Sequence, residues 1–188
     1  MHDLSAISKE ASINPLLADK FVTPFWLASA QRGDSNALRE FYTACLPAVT
    51  RLSARLLHNP QEIEDVVQST FVAAFRALPK FRGESSVQTW VLRIAYNEAM
   101  SLLRKRKRQC YLSLEEMSAP EELVGTIERL ALEQALARLS LEHRVILSLY
   151  YWEELSCEQM AQILNVSVSA VKMRLVRARE SLRRLYEE

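Results

Sequence analysis

The chain has 188 residues, 49% of them apolar, and a formal net charge of +1, which suits one or two small folded domains and excludes a disordered chain. Three glycines and the lack of sustained period-two alternation exclude a sheet protein, so an all-α fold is expected. Cys45, Cys110 and Cys157 are widely spaced, with no Cys-x-x-Cys and no paired histidines, so we expect reduced thiols, no metal site and no cofactor.

In chain order, residues 1–22 lack periodicity and read as an N-terminal extension. MHDLSAISKEASINPLL has no basic region followed by an apolar core, so no secretory signal is expected. No apolar run approaches the roughly 20 residues that span a bilayer, and a cytoplasmic protein is the expectation. Thr23-Pro24 is a start signal for a short helix through Phe25, Trp26, Leu27 and Ala30, which Gly33 ends. Asp34 caps a second helix carrying Leu38, Phe41, Tyr42, Cys45 and Leu46, with Pro47 as a possible kink before Val49, Leu52, Leu56 and Leu57. Asn59-Pro60 opens a third, with Ile63, Val66, Val67, Thr70, Phe71, Ala74, Phe75 and Leu78 on one broad face and Pro79 as its stop. Ser86 caps a long fourth helix that carries Trp90, Val91, Ile94, Ala95 and Ala99 and runs into Arg104-Lys105-Arg106-Lys107-Arg108.

Residues 109–125 lapse into polar and small residues with Pro120, the best linker candidate. A C-terminal domain of residues 126–188 follows a first domain of residues 23–108. Its first helix runs through Ile127, Leu130, Leu132, Ala135, Leu136 and Leu139, and Ser140 caps the next. Ser156 with Gln159 forms a capping box ahead of Met160, Ala161, Ile163 and Leu164. Asn165-Val166-Ser167 interrupts the pattern, and Ser167 caps a last helix whose Val168, Val171, Leu175, Ala178 and Leu182 face inward. Its other surface is basic. A short helix, a tight turn and a second helix with a basic outer face form a helix-turn-helix pattern, in which the second helix enters the major groove. The competing bland interpretation is a basic amphipathic hairpin on a protein surface.

The two basic blocks are separated by an acidic stretch containing Glu115, Glu116, Glu121 and Glu122, so two polyanion contacts are expected. That stretch could compete for the basic blocks in the free protein. Catalysis has no support: no phosphate-binding glycine loop and no nucleophile–His–carboxylate set around His2, His58 or His143 occurs. The unit from Phe81 to Arg108 combines aromatic, small polar and cationic residues, as single-stranded nucleic-acid sites do. Trp90, at helical spacing with Ile94, reads more readily as core than as a stacking platform.

On EIEDVVQSTFVAAFRAL, KFRGESSVQTWVLRIAYNEA and LARLSLEHRVILSLYYWEELSCEQMAQILNVSVSAVKMRLVRARESL, the chain resembles the group IV, or extracytoplasmic-function (ECF), bacterial sigma factors over residues 24–187. The resemblance implies two helical domains and the partners core RNA polymerase (β′ clamp helices and β flap), promoter DNA in duplex and single-stranded form, and an anti-sigma factor. It places Asp65 and Gln68 on the polymerase; Ser69 stands where most relatives carry an acid. It assigns Phe81, Ser85, Ser86 and Asn97 to a flipped base of the −10 element, with Arg104, Lys105, Arg106, Lys107 and Arg108 on backbone. The −35 element falls to Ser167, Ser169, Ala170, Lys172, Met173, Val176 and Arg177, with Arg144 on a phosphate. Ser169 and Met173 depart from the usual glycine and serine, so the −35 sequence cannot be carried over from relatives. The alternative is a stand-alone helix-turn-helix regulator, which needs neither a base-capturing loop nor a polymerase-binding face. A structural adaptor would need neither basic block.

Overall fold

The computed structural model describes residues 24–110 and 127–187, so the N-terminal extension and the acidic connector with Glu115, Glu116, Glu121 and Glu122 lie outside the described residues. Among the described residues eight α-helices form two groups of four: α1 (Pro24–Gln31), α2 (Ser35–Leu56), α3 (Pro60–Ala77) and α4 (Val87–Cys110), then α5 (Ile127–Arg138), α6 (Leu141–Tyr151), α7 (Cys157–Leu164) and α8 (Val168–Glu187).

Local chemistry sets the helix ends. Gly33, at φ 83°, closes α1 in a Schellman motif: its N–H bonds to the carbonyl of Ala30, and the next N–H, of Asp34, to that of Ser29. Asp34 then caps α2 by accepting from the Ala37 N–H at 2.9 Å, so one residue ends one helix turn and starts the next. Pro47 sits inside α2, and the helix continues past it to Leu56. Asn59 accepts from the Gln61 N–H at 2.8 Å to start α3. Pro79 falls in a single 3-10 turn, Leu78–Lys80, directly after α3. The basic run continues α4, whose helix extends to Cys110, two residues into the expected linker.

Amphipathic faces then pack. Phe41, Val49, Leu52, Val66, Phe71, Ala74, Val91 and Leu92 fill the N-terminal bundle, while Ile146, Leu149, Met160, Ile163, Val171 and Ala178 fill the C-terminal one. The inward assignment of Phe75 is only partly met: its ring is 36% exposed and leans edge-on against Phe41. Burial pushes the thiol of Cys45 up to about 12, so it stays protonated and inert at neutral pH.

The two bundles are packed together. The buried apolar side chains of both form one continuous cluster, with α2 against α6 and α4 against α7. Polar contacts bind the same seam. Glu153, whose side chain has no exposed surface, accepts two hydrogen bonds at 2.8 Å from Nε and a terminal nitrogen of Arg51 on α2. One helical turn along, Arg55 lies 4.6 Å over the Trp152 ring. Beyond α2, His58 meets Arg144 of α6 at 3.1 Å. Desolvation and the neighbouring Arg144 and Arg106 lower the His58 pKa, with Glu62 opposing. The neutral ring is therefore favoured, the form able to accept from the guanidinium.

Removing the counter-charge of a buried carboxylate costs more than the net worth of the pair. Because Arg51 keeps part of its surface in water, Arg51→Ala should lower stability by about 2 kcal/mol, measured as an earlier urea midpoint. An unchanged midpoint would show that the seam does not hold the bundles.

Candidate nucleic-acid interface

The C-terminal site begins at α7. Ser156 Oγ accepts from the Gln159 N–H at 3.2 Å while Gln159 Oε1 accepts from the Ser156 N–H at 2.8 Å, closing the capping box that the sequence indicated. Asn165 ends α7 in the left-handed region at φ 54°, a conformation asparagine tolerates better than branched residues. Ser167 Oγ accepts from the Ala170 N–H at 3.2 Å and starts α8. Two helices joined by this tight turn leave the outer face of α8 open: Ser169, Lys172, Met173, Val176 and Arg177 are exposed and Ala170 is half-buried.

The cations of α8 divide. Arg174 pairs with Glu142 at 2.7 Å. Arg179 donates to the Tyr151 hydroxyl at 3.1 Å and lies 4.8 Å over the Tyr150 ring, and Arg183 pairs with Glu187 at 2.9 Å. These contacts turn Arg174, Arg179 and Arg183 toward the protein's own groups. Lys172 and Arg177, both exposed, make no ion pair among the described residues. Arg144, on α6, is half-buried, bonded to His58 and desolvated at the seam between the bundles.

The N-terminal site is the loop before α4 and the outer length of that helix. Gly83, at φ 73°, permits the loop's turn. Gln31, at the end of α1, donates to the carbonyls of Leu78 and Phe81 at 3.3 and 2.7 Å and so fixes where the loop leaves the 3-10 turn. Phe81 is not on the surface: its ring is 9% exposed and lies 4.7 Å from the partly buried Trp90. Ser86 Oγ caps α4 through the Thr89 N–H at 3.1 Å and also meets Thr89 Oγ1 at 2.8 Å. Ser85 is half-buried beside it. Asn97, further along α4, is exposed, as are Arg104, Lys105 and Arg106. Arg106 reaches Glu62 at 3.7 Å; the side chains of Lys107 and Arg108 lie outside the described part.

A third surface lies on α3. Asp65 and Gln68 are exposed and border a shallow groove with Ser69, Val72, Arg76 and, from α4, Glu98. Gln68 donates to Glu64 at 3.1 Å, one turn away on the same helix. Val72, at 49% exposure, adds an apolar edge to this polar groove.

Sequence reasoning missed three positioning residues. Gln31 and Glu153 act through contacts with distant parts of the chain, which leave no periodic trace. Glu154 shapes the turn between α6 and α7 at φ 50°, a left-handed conformation in which a side chain is strained. Among the described residues no group of three or more His, Cys, Asp or Glu is placed to hold a metal ion, and no helix is long and apolar enough to cross a membrane.

Comparison with known proteins gives two family matches: sigma-70 region 2 over residues 41–109 and sigma-70 region 4 over residues 129–182. The ECF RNA polymerase sigma factor SigW of Bacillus subtilis is 29% identical over 84% of this chain and 93% of its own length. The RNA polymerase sigma-H factor of Pseudomonas aeruginosa is 32% identical over 81% of this chain and 87% of its own. The sigma factor RpoE of Bartonella quintana, solved with the anti-sigma factor NepR, is similar at a TM-score of 0.66 and 28% identity, covering 76% of this chain and 92% of that one.

The left-handed turn ahead of α7 yields a stability test. Glu154→Gly relieves the side-chain strain and adds backbone entropy to the unfolded chain, so a net gain of up to about 1 kcal/mol is expected. Thermal unfolding should shift upward; a lower midpoint would show that the Glu154 side chain contributes more than its backbone costs.

Proposed function

The chain belongs to the extracytoplasmic-function sigma factors of bacterial RNA polymerase, and we propose that its two bundles divide the reading of one promoter between them. As an alternative sigma factor it binds core polymerase and directs promoter recognition and transcription initiation. The observation that carries the division is the presence of two separate cationic faces, on α4 and α8, with an independent polar groove on α3. In this account the α3 groove, with Asp65 and Gln68, docks on the β′ clamp helices, and the C-terminal bundle meets the β flap. Ser85, Ser86, Asn97 and the basic end of α4 engage the −10 element as single strand. Phe81 contributes by holding Trp90 and the loop. The outer face of α8 engages duplex at −35.

Magnitudes support a subunit over a stand-alone regulator. Melting ten base-pair steps costs about 14 kcal/mol in stacking at roughly 1.4 kcal/mol per step. Capturing unstacked bases at about 1–3 kcal/mol each offsets part of that; the polymerase's hold on DNA supplies the rest, and the chain itself catalyses nothing. Two reading heads on one chain gain about 10²–10⁴ in avidity when the spacing is right.

That spacing also requires the bundles to part. Elements roughly 25 base pairs apart are about 85 Å apart on duplex at 3.4 Å per pair. A single compact body of this chain length is only about 40 Å across. Opening the seam would free Arg144 from His58 and return it to solvent beside α8, where it can meet a phosphate. An anti-sigma factor, such as the NepR that binds RpoE in Bartonella quintana, would act by covering the polymerase-binding faces. The site of action is then the cytoplasm, where polymerase works.

Run-off transcription by purified core polymerase on a genomic fragment library tests this. The protein should create discrete new start sites, and Asp65→Lys with Gln68→Ala should abolish them while leaving the thermal midpoint unchanged, since both side chains are exposed. A folded protein that shifts duplex DNA alone and yields no core-dependent transcript would instead establish a stand-alone regulator.

A further inference from the structure

The outer face of α8 is apolar along its middle although the helix is otherwise strongly basic. Met173 is 55% exposed and Val176 50%, and at this spacing they share one stripe of the helix. Neither contributes to the buried core. At 3.6 residues per turn, Lys172 and Arg177 stand on either side of that pair within an arc of about 140°. Arg174 is turned to Glu142, and the Ser169 hydroxyl meets that of Ser167 at 3.0 Å; Glu180, exposed one turn beyond Val176, bounds the apolar stretch toward the helix C-terminus.

A face with cations at its edges and apolar groups at its centre fits one kind of groove floor. The edges reach the phosphates that border the major groove. Pressed against a purine, the centre would strip water from N7 and O6 and offer no donor in return, which is unfavourable. The apolar group that a base presents in the major groove is the thymine 5-methyl.

We propose that Met173 and Val176 read thymine methyls, so that the −35 element carries T·A pairs under the middle of α8. This rests on the sigma-factor reading of α8 given above. Specificity at these positions then comes from methyl burial, with Lys172 and Arg177 supplying the salt-dependent hold at the edges.

Uracil lacks only the methyl group and keeps the pairing edge, which makes the test direct. Reconstituted holoenzyme is bound to promoter fragments recovered by run-off transcription, with either thymine or deoxyuridine at every −35 thymine. Wild-type holoenzyme should bind the uracil form about fourfold more weakly per contacted methyl. The Met173→Ala/Val176→Ala double variant should bind both forms equally and keep its melting temperature, because both side chains lie at the surface. Lys172→Ala should weaken both forms by the same factor and reduce the salt slope by about one. Equal binding of wild-type holoenzyme to the two forms, or a −35 element without thymine, would overturn methyl readout and leave the sigma reading standing. Absence of any core-dependent transcript would overturn both.

Discussion

A carboxylate with no exposed surface needs a counter-charge, and for Glu153 that counter-charge is Arg51, 102 residues away on α2. This pair joins the turn that precedes the helix-turn-helix to the second helix of the N-terminal bundle. Around it the cation–π contact of Arg55 with Trp152 and the bond between Arg144 and His58 extend the seam along one side of α2 and α6. The apolar cluster is continuous across the same boundary. The relative position of the two reading faces therefore depends on a contact that water can dissolve once the bundles separate.

The polar contacts of the seam are of a kind suited to reversal. A core made only of apolar side chains would be costly to part, because every exposed methyl loses its burial. An ion pair with one partner already partly in water regains hydration when opened, which offsets much of the lost attraction. The neutral His58 ring accepts from Arg144 and turns into a repelling donor if protonated; its lowered pKa keeps it neutral near physiological pH. Closed packing is thus compatible with an open, promoter-spanning state when docking on polymerase and DNA also offsets the exposure of the shared apolar cluster.

The helix starts were legible in the sequence because capping is local. Asp34, Asn59, Ser86, Ser140, Ser156 and Ser167 each accept from a backbone N–H two or three residues ahead, as their types and positions indicate. The exposed face of α8 followed from helical periodicity in the same way. What stayed hidden is contact between residues far apart in sequence. Gln31 on the Phe81 carbonyl, Arg51 on Glu153 and Arg144 on His58 are separated by 50, 102 and 86 residues. No period or spacing encodes such pairs. Phe81 illustrates the consequence: nothing in the loop's sequence announces that the fold places the partly buried Trp90 ring beside it.

The measurement that tests the account most directly is the distance between the bundles, free and on the promoter. Spin labels at Glu40 on α2 and Glu180 on α8, both exposed, report it by pulsed dipolar spectroscopy in a background without the native cysteines. The account predicts one short distance in the free protein, lengthening by tens of ångströms when core polymerase and promoter DNA are added, because the two elements lie about 85 Å apart on duplex. The same short distance in the transcribing complex would contradict it.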